Sequence, residues 1–175
     1  MFAVEIRKRR VEGVRPSHGR WHLDEVFVKI HGEQHYLWRA VDHEGEVLER
    51  FVTKRRDKKA ALKFLKETLK RHGRAENILT DHLRAYGAAF RKLGISDQQE
   101  TDRWANNRVK NAHQPFRRRE RAMLRLRRMR TLQQFASVHG PIFNHFNKER
   151  SLSSRQNFKV NRNAALSEWR QLCAA

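Results

Sequence analysis

Apolar and polar positions alternate first in the segment Trp21–Ile30. Val26, Val28 and Ile30 fall at every second place, with Phe27 between them, which predicts a strand. His31-Gly32-Glu33-Gln34 reads as a turn, Tyr36–Val41 as a second strand, Asp42-His43-Glu44-Gly45 as another turn and Val47–Val52 as a third strand. Short turns containing glycine between three strands predict an antiparallel meander. The period then changes. Ala61, Phe64, Leu65 and Leu69 share one helical face, with Asp57 as the cap and Gly73 as the stop. Asn77–Thr80 is a short apolar strand ending before Asp81, and Leu83–Leu93 a helix stopped by Gly94. Residues 96–103 suit a weak edge strand. Asn106 or Asn107 can cap a further helix that Pro115 kinks or restarts. A basic helical stretch then runs to about Arg150, with a break expected at Gly140-Pro141, and Asn163 can cap a last helix. Residues 1–19 read as a basic helical stub and linker, 20–150 as one domain and 151–175 as a helical tail. The order β-β-β-α-β-α-β-α predicts an α/β fold: a mixed five-stranded sheet flanked by helices, with a basic helical C-terminal part.

Charge changes the picture more than composition does. Lys and Arg number 39 against 19 Asp and Glu, a net charge of +20. A polyanion is the expected partner, nucleic acid foremost. The excess is uneven: between Arg103 and Arg130 there are eleven basic residues, and Glu120 is the only acid. One face is therefore expected to bind the polyanion while the rest builds a scaffold. No run approaches the roughly 18 apolar residues of a membrane span. The N-terminal MFAVEIRKRR lacks the apolar stretch of a secretory signal. Cys173 is the single cysteine, so an intramolecular disulfide and a Cys-rich zinc module are excluded. A reducing, cytoplasmic setting is the expectation.

Two acids stand where chemistry can use them. Asp24 lies on the first strand amid apolar neighbours, and Asp81 just past the fourth. A helical crossover from the third strand would bring the fourth beside the first and the two carboxylates together. Close carboxylates repel unless a divalent cation holds them. Taken singly, either aspartate also fits a strand end that hydrogen-bonds a turn.

The motifs in order narrow this. Trp21-His22-Leu23-Asp24-Glu25-Val26 resembles the W-x-x-D-E-[TV] strand of the DDE transposases of insertion sequence family six. Tyr36–Asp42 resembles that family's Y-L-[YW]-R-A-V-D, and Lys54-Arg55-Arg56-Asp57 with Ala60-Ala61 its [KR]-R-[DN]-x-x-A-A. Thr80-Asp81 with Ala85-Tyr86 resembles its T-D-x-x-x-A-Y, and Asn106-Asn107 the N-N ahead of its third acid. The run His113–Met123 is similar to one subgroup. The resemblance implies a ribonuclease H-like fold and magnesium- or manganese-dependent DNA cleavage and strand transfer. It also implies double-stranded DNA as partner (element ends and target), a homodimer on DNA and a place at the bacterial nucleoid. It assigns catalysis to Asp24, Asp81 and position 110, and metal binding to Asp24 and Asp81.

Two departures follow. The family pattern N-N-x-x-E-x-x-H puts an acid where this chain has Lys110. Lysine offers only donors while protonated, so it cannot ligate a hard cation. Decay of the element, a phosphate-holding role for Lys110 and a substitute acid all remain open. Glu120 is a poor substitute, about 15 Å further along a helix. The family's helix-turn-helix segment is also missing ahead of residue 20, so a truncated gene or an internal start is expected.

Arginine forks suit phosphate. Arg108, His113, Arg117, Arg118, Arg119, Arg121 and Arg125 are the expected DNA contacts; the arginines cannot all share one helical face, so some are expected to be solvated or paired with acids such as Glu120, and a solvated charged helix is the alternative. Trp104 suits either packing or base stacking, while Trp21, Trp38 and Trp169 are expected in the core.

Overall fold

The structure is a computed structural model that describes residues 19–101, 107–123, 126–146 and 154–174; for 107–112 it describes the backbone alone. The expected stub, Trp104, the Asn106 cap and Arg125 lie outside the described residues. Strand β1 (Arg20–Ile30) turns into β2 (Glu33–Val41) through His31 and Gly32 alone. Both have positive φ, 50° and 83°, as a two-residue hairpin matched to strand twist requires. The turn is thus two residues shorter than the expected four, and Glu33 and Gln34 belong to β2. β3 (Val47–Thr53) follows a turn held by Asp42, whose Oδ1 accepts the backbone N–H groups of Glu44 and Glu46 at 2.9 Å each.

Helix α1 (Lys58–His72) starts at the Asp57 cap and ends at Gly73. It carries the chain across the sheet, so that β4 (Asn77–Thr80) lies parallel to β1, with His22 level with Leu79. Helix α2 (Arg84–Leu93), closed by left-handed Gly94, leads through a short 3-10 turn to β5 (Gln99–Thr101), parallel to β4. The strand order is β3-β2-β1-β4-β5.

Both faces of the sheet are covered. On one, Trp21, Leu23 and Trp38 pack with Phe64, Leu65, Tyr86 and Phe90 of α1 and α2. On the other, Val28, Ile30, Leu37 and Val52 pack with Phe116 of helix α3 (Asn107–Ala122) and Leu132 and Ala136 of helix α4 (Met129–Phe146). Central β1 therefore buries Trp21, His22 and Leu23 in succession. Further along, where β4 no longer flanks it, Phe27 and Lys29 are exposed while Val28 and Ile30 stay buried.

The expected helical break is displaced. α4 runs through Gly140-Pro141, while α3 ends at Ala122 and α4 begins at Met129. A proline forfeits one helical N–H bond, and a preceding glycine eases the steric clash. Ahead of α4, Leu126 joins the second core. α3 likewise continues through Pro115.

The chain divides into two compact units, 15–136 and a second that includes 137–175. In the second, the C-terminal part of α4 and helix α5 (Arg155–Ala174) pack through Phe146 against Trp169, ring centroids 5.4 Å apart, and the His145 ring contacts the Ala165 carbonyl at 2.8 Å. Trp169 is half-buried there, and α5 begins eight residues before the expected Asn163. No helix among the described residues is long and apolar enough to cross a membrane.

Candidate active site

The parallel register of β1 and β4 extends past the last paired residues to set Asp24 level with Asp81. β4 stops at Thr80, so the edge of β1 is open from Asp24 onward. Side chains from either face of β1 can turn into that gap. Asp24, Glu25 and Asp81 each present a carboxylate oxygen, and the three oxygens lie within 4.8 Å of one another.

Each acid is held differently. Asp24 Oδ1 accepts the N–H of Glu25 at 3.0 Å, and Oδ2 lies 3.5 Å from His113 Nε2. His113 comes from α3 and is buried, and its Nδ1 lies 3.4 Å from Arg39. A guanidinium only donates, so Nδ1 accepts and the ring proton sits on Nε2, facing Asp24. Burial holds the His113 imidazole below its ordinary value, with the Asp24 bond opposing, in keeping with a neutral ring. Arg39 sits opposite Asp24 on β2 and is itself buried; burial and then Arg50 pull it down to about 9, leaving it charged at neutral pH. Asp81 Oδ1 accepts the N–H of Leu83 at 3.0 Å, and its Oδ2 lies 3.5 Å from Arg56.

Glu25 is the most enclosed of the three, its side chain 4% exposed. Arg56 Nε meets Oε1 at 2.5 Å, and Oε2 has no well-formed hydrogen bond. Burial first, then the charge of Asp81, raise its carboxyl to about 7. The Tyr86 hydroxyl is close enough to feel Glu25 yet makes no hydrogen bond of normal geometry; burial and the neighbouring carboxylates push it well up. Beside Asp81 a groove opens, lined by His82, Arg84, Arg91, Gln99 and Thr101 among others.

A family model described as a DDE domain, of the IS240 transposase type, matches residues 18–149. The chain belongs to the DDE transposases of insertion sequence family six. Transposases for the insertion sequence-like element IS431mec, from strains of Staphylococcus aureus, are 30% identical over 104 residues, 57% of this chain and 46% of theirs. The transposase for IS257 in transposon Tn4003, also from S. aureus, matches to the same extent. The chain thus spans about half the length of these relatives. Among solved structures, the HTLV-2 integrase catalytic core in complex with magnesium (trimeric form) superposes with a TM-score of 0.54 at 14% identity, over 81% of this chain and 95% of that one. The simian T-cell lymphotropic virus intasome, in complex with PP2A regulatory subunit B56 gamma, gives 0.50 at 16%, over 74% and 49%. The fold is ribonuclease H-like.

Of the residues in the motifs that resemble the family's, the structure brings Asp24, Asp81 and His113 together. Position 110 lies in α3, one helical turn before His113; its side chain and that of Arg108 fall outside the described part. Arg117 is tied to the protein: it pairs with Glu120 at 2.8 Å, donates to the Phe27 carbonyl and covers the Phe27 ring at 5.4 Å. Glu120 is therefore engaged with Arg117. Arg118, Arg119 and Arg121 are exposed. Sequence reasoning passed over Glu25, Arg39, Arg56 and Tyr86 as site residues. All four stand inside the quoted motifs, so the signal was present beside the aspartates.

Proposed function

We propose that the chain is the catalytic part of a transposase that cleaves and joins DNA by metal-dependent phosphoryl transfer. The carrying observation is the β1–β4 register, which sets Asp24 and Asp81 side by side. The donor set fits a hard divalent cation: it is all carboxylate oxygen, and Glu25 Oε2 is buried with no well-formed hydrogen bond. The magnesium named with the HTLV-2 integrase core supports the same reading. Bound there, magnesium or manganese supplies activation of the attacking oxygen and stabilisation of the leaving one. Asp24 and Asp81 would hold it, with His113 Nε2 3.5 Å from Asp24 Oδ2 on the side of α3. Exposed Arg118, Arg119 and Arg121 contact the phosphate backbone of duplex DNA, with the chain paired to a second copy on the DNA of a bacterial nucleoid. Lys110 replaces the family's acid with a cation, which lowers metal affinity and impairs the reaction.

That substitution also favours a second reading, a DNA-binding remnant without catalysis. Manganese-dependent nicking and joining of DNA that carries the repeats flanking the gene separates the two. The first reading expects weak activity, lost in Asp24→Asn and raised in Lys110→Glu. Activity in Asp24→Asn equal to the parent's would sink it. No activity in either the parent or Lys110→Glu, with salt-sensitive DNA binding intact, leaves the second.

A further inference from the structure

Glu25 has no place in the two-aspartate arrangement, yet the fold delivers it there. Strand alternation sends Asp24 toward α3 and Glu25 toward α2. Only the end of β4 at Thr80 opens an edge where both can turn toward Asp81. A buried carboxylate oxygen with nothing to accept from is costly, and native structures rarely leave one. Glu25 Oε2 comes close to that state: it makes no hydrogen bond of normal geometry, and the fully buried Tyr86 hydroxyl that interacts with Glu25 makes none either. A carboxylate oxygen carries more than one lone pair, so the Tyr86 contact leaves Glu25 able to bind a cation as well.

Arg56 spans the same oxygens. Its Nε meets Glu25 Oε1, and a terminal nitrogen lies 3.5 Å from Asp81 Oδ2. It reaches in from the loop ahead of α1 and its side chain is 40% exposed, so it can withdraw into water without opening the core. A guanidinium and a divalent cation both need those lone pairs, and the two cannot share them fully.

We propose that Glu25 is the third carboxylate of a divalent-cation site with Asp24 and Asp81, and that Arg56 is a built-in cation which competes for it. The idea rests on the transposase reading for the site's location. It adds that the residue next to Asp24 supplies the acid that position 110 lacks. Arg56 then keeps the three carboxylates together in the metal-free protein and gives way when a doubly charged ion arrives.

The test uses the 175-residue chain and manganese alone, without DNA. Bound Mn2+ is read from loss of the free-ion electron paramagnetic resonance signal and by calorimetry. The parent is expected to bind with defined stoichiometry. Glu25→Gln should weaken binding by at least about tenfold, since even partners behind the direct ligands are worth that much. Arg56→Gln should tighten it several-fold, and Glu67→Gln, an exposed acid on α1, should leave it unchanged. Circular dichroism establishes that Glu25→Gln is folded; should it not fold, Arg56→Gln decides, because it leaves all three carboxylates in place. Equal affinity in the parent and a folded Glu25→Gln overturns the ligand role. Unchanged or weaker binding in Arg56→Gln overturns the competition. Absence of stoichiometric binding in the parent overturns both. Binding through Glu25 in a chain that never cuts DNA supports the cation site and sinks the proposed activity, so the two failures are distinct.

Discussion

Replacing Asp57 with alanine removes the cap of α1, and its cost can be worked out bond by bond. Asp57 has extended backbone, φ −122° and ψ 175°, and its Oδ1 accepts the N–H of Ala60 at 2.9 Å. A side-chain cap of this kind stabilises by about 1 kcal/mol. The first turn of α1 holds Lys58 and Lys59 and no acid, so the Asp57 charge also offsets the positive end of the helix. That contributes roughly 0.5 kcal/mol, screened by salt. Asp57→Ala should therefore destabilise by about 1.5 kcal/mol, a fall in melting temperature of roughly 3–6 °C for a chain of this size. Asp57→Asn retains the acceptor and gives up the charge, so its loss should be about 0.5 kcal/mol and shrink in high salt. Urea unfolding followed by circular dichroism, at low and high salt, measures both. Equal losses in the two variants would refute the cap account and give the carboxylate itself another task. The family motif accepts either Asp or Asn at this place, as a cap requires and a metal ligand does not.

Two further outcomes follow from the same geometry. Burial raises the Asp42 carboxyl despite its two backbone bonds, so the folded protein holds that proton more tightly than the unfolded chain. Its contribution is full below the ordinary value of 3.8 and is lost as pH rises through the folded one. Asp42→Asn keeps the acceptor, so it should be more stable than the parent at pH 7 and converge with it near the acid end; parallel urea midpoints across that range would contradict this. For DNA, Arg118, Arg119 and Arg121 changed together to glutamine should flatten the slope of log affinity against log salt by up to about 3, near 0.9 for each phosphate no longer neutralised. Fluorescence anisotropy on a mixed-sequence duplex reads it, and an unchanged slope would remove that face from the interface.

The element order was legible because period-2 and period-3.6 patterns alternate cleanly from Trp21 to Gly94. Asp24 and Asp81 were legible through the crossover that α1 imposes. Glu25 was not. Alternation assigns neighbours on a strand to opposite faces, and nothing local reveals that β4 stops short enough to let both turn inward. The proline positions misled for a related reason. Pro141 looks like a helix breaker from sequence, but α4 is fixed on either side of it, by Leu132 and Ala136 in the core and by buried Asn144 and His145 beyond. Tertiary packing there outweighs one missing N–H bond. The arginine run cannot share one helical face, but sequence does not say which members turn in: Arg117 reaches the Phe27 carbonyl, while Arg118 and Arg119 are exposed.

The motif aspartates thus divide by task, Asp42 and Asp57 shaping turns and caps while Asp24 and Asp81 converge. The same separation applies to α3, which carries position 110. Among the described residues, α3 is docked by His113 against Asp24, by Phe116 in the second core and by Arg117 on β1. None of these contacts uses residue 110. The lysine at this position changes a charge and leaves the named docking contacts of α3 in place. Lys110→Glu should accordingly shift unfolding stability by no more than about 0.5 kcal/mol, the ordinary range for a change that breaks no named packing contact. Manganese affinity should rise by a much larger factor. A large stability change would instead mean that position 110 helps to dock α3, and that the scaffold and the chemistry are not separable at this helix.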